Sequence, residues 1–177
     1  MFALLLIFFA GYTLAQEYNV PGFPIDESSQ KIVFSEVIQT EGDAAQLYSK
    51  AINWIEQFYV NPSAVIREKN EQEKKIHIVE PIKLMELPDK DGKEIRSNTR
   101  IKYNLYFYFK DGRFKFEITD IHLKAASYQP IEPWLENENQ TDRQNYLLIQ
   151  TYEYLEKLIT DMKAFMQSSA GDEADDW

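Results

Sequence analysis

Ile101, Tyr103, Leu105, Phe107 and Phe109 alternate with Lys102, Asn104, Tyr106, Tyr108 and Lys110. That period of two belongs to a β-strand with one buried face. Asp111-Gly112 follows, a dipeptide suited to a two-residue type I′ turn, in which both central residues need φ > 0. Phe114, Phe116 and Ile118 then resume the alternation. A two-residue loop sets Phe109 opposite Phe114 and Phe107 opposite Phe116, giving an aromatic face continuous across two strands. Arg100–Lys124 therefore reads as one hairpin at the centre of a half-buried antiparallel sheet. The alternation fails near Thr119-Asp120, where strict phase would turn Asp120 and His122 inward. A β-bulge there restores Ile121 to the apolar side.

The remaining elements follow from period and punctuation. Lys31–Gln39 reads as a first strand, with Ile32, Phe34 and Ile38 on one side. Asp43–Tyr59 reads as a helix, Asp43 and Gln46 forming a capping box and Leu47, Ala51, Trp54, Ile55 and Phe58 one stripe. Asn61-Pro62 stops it. Ser63–Glu68 is expected as a short strand, and Lys75–Leu87 as a longer one with Ile76, Ile78, Ile82 and Leu84 on one face. Glu80-Pro81 interrupts that strand, because proline lacks a ladder donor and belongs at an edge or bulge. Pro88–Asn98 is expected as a turn, and Ser127–Gln140, with Pro130, Pro133 and Trp134, as an irregular loop. Thr141 and Gln144 cap a long helix, Asp142–Gln167, whose seam is Leu148, Tyr152, Leu155, Ile159, Met162 and Met166. The implied fold class is α+β: a two-layer sandwich of about five antiparallel strands with both helices on one face. The reverse face is open or covered by a partner.

The chain has 177 residues, enough for one domain that buries roughly 70% of its unfolded surface. Residues 31–167 form that domain, preceded by a polar lead-in over 16–30 and followed by an acidic tail over 168–177, expected to be disordered. Residues 1–15 read as a signal peptide: an uncharged apolar run from Met1 to Ala10, too short for a membrane span of about 20 residues, then Thr13-Leu14-Ala15 as a small-residue cleavage site. No Lys or Arg precedes the run; either the α-amino group supplies the positive charge or the true start codon lies upstream. The expected location is periplasmic or extracellular, with no stable membrane span after cleavage. There is no cysteine, so a disulfide framework, a zinc-thiolate site and a lipoprotein linkage are excluded. The formal net charge of −10 opposes nucleic acid as a partner unless one face is locally basic.

Four strings carry a resemblance: FSEVIQTEG at Phe34–Gly42, LYSKAINWIEQFY at Leu47–Tyr59, SAVIREK at Ser63–Lys69 and YNLYFYFKDGRFKFEITDI at Tyr103–Ile121. Together they resemble a family of secreted bacterial domains of unknown function with a fold similar to one half of the TATA-box-binding protein. The resemblance implies that fold and export, and no catalytic residues. Pro88–Asn98 and Ser127–Gln140 lie outside it.

No catalytic set stands out. There is no Gly-x-Ser-x-Gly elbow, no glycine-rich phosphate loop, and only His77 and His122 as imidazoles. Asp89-Lys90-Asp91-Gly92 opens like a calcium loop, but its twelfth position is Arg100 where a glutamate is required. Neither metal nor cofactor is expected. Asn139-Gln140-Thr141 matches a glycosylation sequon, and Glu136–Asn139 is an acidic loop. The surface with binding potential is the outer side of the hairpin. Tyr106 and Tyr108 project there beside Lys102, Lys110, Lys115 and Glu117, unless the lead-in, the tail or the Trp134 loop covers them. Tyrosines among mixed charges suit another envelope protein or a glycan. A non-catalytic envelope binding or assembly module is the favoured function. The alternative is a carboxylate-based hydrolase of envelope glycans or peptides, drawing on Glu117, Asp120 and His122.

Overall fold

A computed structural model describes residues 18–136 and 140–168. The signal segment, the Asn139 sequon, most of the acidic loop and the tail beyond Ser168 lie outside the described residues. In chain order the elements are β1 (Phe34–Gln39), α1 (Ala44–Phe58), α2 (Pro62–Val65), β2 (Ile66–Asn70), β3 (Lys75–Glu86), β4 (Ile95–Lys110), β5 (Arg113–Leu123), β6 (Gln129–Pro130), α3 (Glu132–Leu135) and α4 (Asp142–Gln167). The sheet runs β1-β5-β4-β3-β2, with β6 also beside β5. All of its pairings are antiparallel. Helices α1 and α4 pack on one face, as the periodicity required.

The hairpin is the core of the sheet. Phe109 pairs with Phe114 and Phe107 with Phe116. Phe107, Leu105, Tyr103 and Ile101 are completely buried. The loop differs from the expectation in one respect. Only Gly112 has a positive φ, at 72°, so the turn is not type I′. Asp111 instead lends its carboxylate to α1, accepting from the Ala44 N–H at 2.9 Å. Gly112 donates to Gly42 O and accepts from Thr40 N–H. The hairpin tip is thereby docked on the start of α1, where a carboxylate is favoured by the exposed N–H groups.

Both helices start as read. Asp43 accepts from Ala45 and Gln46 N–H while the Gln46 side chain accepts from Asp43 N–H. Thr141 and Gln144 repeat the arrangement. The buried face of α4 is wider than its seam, adding Leu147, Thr151 and Leu158, because α4 packs against α1 as well as the sheet. Trp54 of α1 donates from its indole N–H to Asp161 of α4 at 2.8 Å.

Three expectations are corrected. Ser63–Val65 is helical rather than extended, because Pro62 takes the first position of α2, where its fixed φ suits a helix start. β4 begins at Ile95, inside the expected turn, pairing Ile95 and Arg96 with Glu86 and Met85. That extension has only a polar residue, Ser97, on its buried side, so it carries no hydrophobic period. The Ser127–Gln140 loop contains β6 and α3, and anchors them through fully buried Ile131, whose N–H donates to Ile121 O. The Asp120 bulge is present: Lys102 faces His122 while Asn104 faces Thr119, Asp120 has φ 52°, and Ile121 is fully buried. Pro81 sits where expected as well, since β2 pairs with β3 only as far as Ile78 and β3 is an edge beyond it.

Two carboxylates tie α4 to the sheet, and their pKa values shift in opposite directions. Glu80 points inward and accepts from Tyr103 OH at 2.9 Å and Tyr154 OH at 2.8 Å, with Tyr59 OH 3.1 Å from Tyr103 OH. Burial outweighs these bonds and pushes the Glu80 carboxyl above its ordinary value. Glu86 takes a bidentate bond from Arg143 at 2.6 and 2.7 Å, and further bonds from Ser97 and Thr99. The Arg143 guanidinium leads in lowering its pKa to about 2.

These features generate two predictions. Phe107→Ala lowers the unfolding free energy by about 3–5 kcal/mol in urea denaturation, the cost of a vacated aromatic site in a packed core. The pH dependence of stability has two arms. Glu80 binds its proton more tightly folded than unfolded, so its contribution is fullest below the ordinary value of 4.5 and declines as pH rises through the folded value. Glu86 contributes fully above 4.5 and loses that contribution as pH falls toward 2. Glu80→Gln, which keeps an acceptor for both tyrosines, raises the melting temperature at pH 7. Glu86→Gln lowers it at pH 7 and flattens the acid arm.

Candidate functional site

Because side chains alternate, burying Phe107, Phe109, Phe114 and Phe116 commits Tyr106, Tyr108, Lys115 and Glu117 to the opposite face. Register then assembles rows across the strands. Lys75, Tyr108, Lys115 and Val37 lie side by side, and His77, Tyr106, Glu117 and Ser35 form the next row. The His77 and Tyr106 rings stack at 4.3 Å and 11°, and Tyr106 and Tyr108 are near-parallel at 6.5 Å and 20°. Lys75 sits 5.7 Å over the Tyr106 ring and Lys115 5.9 Å over Tyr108, distances at which an ammonium is attracted to a ring face. Lys75 is also bonded to Glu68 at 3.1 Å and Lys115 to Glu117 at 2.8 Å. The Glu68 bond raises the Lys75 pKa, and burial raises that of Tyr106, so at neutral pH both are hydrogen-bond donors. The result is a ladder of standing rings, hydroxyls outward, with ammonium groups against their flanks.

Of the three candidate covers for this ladder, two lie elsewhere. The lead-in passes over the helix side: Phe23 packs on Phe34 at 6.2 Å and Tyr152 at 5.2 Å, and Tyr18 on Tyr146 at 5.5 Å. The segment before Trp134 covers only the far end of β5, where the Tyr128 ring lies 4.9 Å from His122. Among the described residues nothing shields Tyr108, which is 38% exposed, or its neighbour Val37, at 53%. Tyr108 and Val37 share a groove with Lys110, Arg113, Phe114 and Lys115.

The residues named for the hydrolase alternative are neighbours in sequence without forming a couple. Asp120 accepts from Lys31 Nζ at 2.6 Å and from Asn104 at 3.5 Å, and Glu117 from Lys115. His122 donates from Nδ1 to the Asp120 backbone carbonyl at 2.6 Å, not to a carboxylate. His77 bonds to Asn104 Oδ1 at 2.7 Å, completing a line from His77 through Asn104 and Asp120 to Lys31. The Asp89 side chain accepts from Asp91 and Lys93 N–H, an Asx turn that consumes the carboxylate locally. Among the described residues no cluster of three or more His, Asp or Glu side chains is arranged to hold a metal ion, and no helix is long and apolar enough to cross a membrane.

Alternation with Ile76 and Ile78 puts His77 on the open face, but its stacking on Tyr106 and the part played by Lys75 are not legible in the sequence. Both depend on the β3–β4 register. The connection over residues 87–94 has no fixed turn type from which that register could be read.

Comparison with known proteins gives the fold and the family. No curated protein resembles the chain in sequence. Two solved structures share its architecture: a TBP-like protein from Parabacteroides distasonis, with a TM-score of 0.62 and 17% identity over 82% of this chain and 97% of that one, and a DUF4468 family protein from Bacteroides ovatus, with a TM-score of 0.62 and 18% identity over 87% and 95%. At such identities the likeness concerns the fold alone. A family model, that of a domain of unknown function (DUF4468) with TBP-like fold, matches residues 34–124, from the first residue of β1 through β5, just over half of the chain. The chain belongs to the DUF4468 family of domains with a TBP-like fold.

Proposed function

We propose that the chain is a non-catalytic binding or assembly module of the bacterial envelope, exported by its N-terminal segment and working through the open sheet face. The observation that supports this most is the ladder of His77, Tyr106 and Tyr108 standing outside the core with cations at its flanks. The hairpin's apolar burial is supplied by the inward phenylalanines, not by this ladder. Rigid tyrosines held by their neighbours lose little rotamer freedom on contact, which favours them as contact residues in interfaces. A sheet braced from behind by two helices also presents these groups without rearrangement, which reduces the ordering cost of association. The hydrolase alternative has less support, because the Asp120 and Glu117 carboxylates are each occupied by a lysine ammonium and neither carboxylate bonds an imidazole.

The Tyr106→Ala, Tyr108→Ala double variant is expected to keep its far-UV circular dichroism and melting transition. It should lose about tenfold or more in affinity for proteins retained from a periplasmic extract. A folded double variant that retains every partner of the parent chain ends the proposal. In parallel, glycan or peptide hydrolysis by the parent chain that disappears in Asp120→Asn would replace it with the enzymatic alternative.

A further inference from the structure

Taking the open face as a binding surface, as above, we infer that its occupant is an extended acidic peptide segment of another protein, seated along β4 with one end in the groove beside Tyr108.

Charge is the first ground. The chain as a whole is −10, yet the open face is cationic. At the hairpin tip the groove gathers Lys110, Arg113 and Lys115 around Tyr108 and Val37. Among the described residues only Lys115 of these three has a carboxylate partner. At the other end of the sheet, Lys83 pairs with Arg100 in register, and Lys102 lies two residues along β4. The carboxylates on this face do not offset them: Glu68, Glu117 and Asp120 are each already paired with a lysine. Unpaired cations at a fixed surface have their charges to spend on a ligand's oxygens, and the Tyr106 and Tyr108 hydroxyls add donors between the two ends.

The aromatic geometry then selects among anions. Single-stranded nucleic acids are held by bases stacked on open ring faces, and sugars also pack against such faces. Here part of that ring area is already taken. One side of Tyr106 carries His77, Tyr108 follows in parallel, and Lys75 and Lys115 lie against the rings. The ammonium groups and tyrosine hydroxyls of this row are a set that meets carboxylates by charge-assisted hydrogen bonds. An extended peptide repeats its side chains on one side about every 6.7 Å, the same step that separates Lys110, Tyr108 and Tyr106 along β4. Exposed Val37 and the Tyr108 ring give the groove an apolar floor for one non-polar side chain of the peptide. A short acidic peptide also meets mainly the local cations, since the chain's distant negative charges are screened beyond about 8 Å at physiological salt. A long polyanion meets the repulsion of the whole molecule.

The test is a nuclear magnetic resonance titration of the full chain with an octapeptide of alternating glutamate and serine, beside an eight-nucleotide thymidine oligomer and an oligogalacturonate. The octapeptide is expected to shift the amides of Tyr106, Tyr108, Lys110, Arg113 and Lys115, with affinity falling several-fold from low to physiological salt. Lys110→Glu with Arg113→Glu should abolish those shifts without changing the melting temperature. The proposal is overturned if the octapeptide shifts nothing or shifts residues elsewhere, or if either other oligomer binds this face as tightly. It is also overturned if binding appears only after Asp172, Glu173, Asp175 and Asp176 are changed to their amides, for then the face belongs to the chain's own acidic run. Capture of extract proteins that depends on Tyr106 and Tyr108, alongside a failed titration, removes the acidic assignment and leaves the binding face. Failure of both removes the binding face too.

Discussion

The pairing of Phe107 with Phe116 and Phe109 with Phe114 is the constraint on which the rest of the structure depends. A strand has only two sides. Once these rings are buried beneath α1 and α4, every intervening residue of β4 and β5 is sent to the other face, and no adjustment of a single side chain can reverse it. A register slip of one residue would place four phenylalanines in water and two tyrosines and a lysine in the core. The make-up of the open face is thus a consequence of how the covered face packs.

Two local devices let the hairpin keep that order along its whole length. At the tip, Asp111 and Gly112 join the two strands and fasten them to the start of α1. This sets the depth at which the sheet meets the helices. At the other end the Asp120 bulge adds one residue to β5, so that Ile121 returns to the core after the alternation has slipped. The bulged residue adopts a left-handed backbone at φ 52°, a conformation that aspartate tolerates better than most residues. Its carboxylate is then available to Lys31, three residues before β1, so the irregularity also fastens the segment before β1.

The polar groups divide between the two faces according to what they do. Those on the helix side are structural: Glu80 with its tyrosines, and Glu86 with Arg143, hold α4 at two points along β3. Those on the open side are bonded mostly to one another, in the His77-Asn104-Asp120-Lys31 line and the Lys115–Glu117 pair. Among the described residues, Lys110 and Arg113 at one end of this face and Lys83, Arg100 and Lys102 at the other have no carboxylate partner.

The sequence by itself determined the elements whose signals are local. The helix starts at Asp43 and Thr141 follow from capping chemistry three residues long. The hairpin follows from a two-residue loop, and the bulge from a break in a period of two. The same alternation named Tyr106, Tyr108, Lys115 and Glu117 as outward. Only the tertiary structure decided what lies beside them. Lys75 and His77 reach the tyrosines through the β3–β4 register, and Val37 reaches Tyr108 through pairings on both sides of β5. Those contacts join residues tens of positions apart, and no neighbour in sequence specifies them. The early start of β4 and the two residues of β6 were likewise settled by packing. Each is too short or too polar to carry a hydrophobic period, and each persists because an adjacent strand or the buried Ile131 side chain holds it in place.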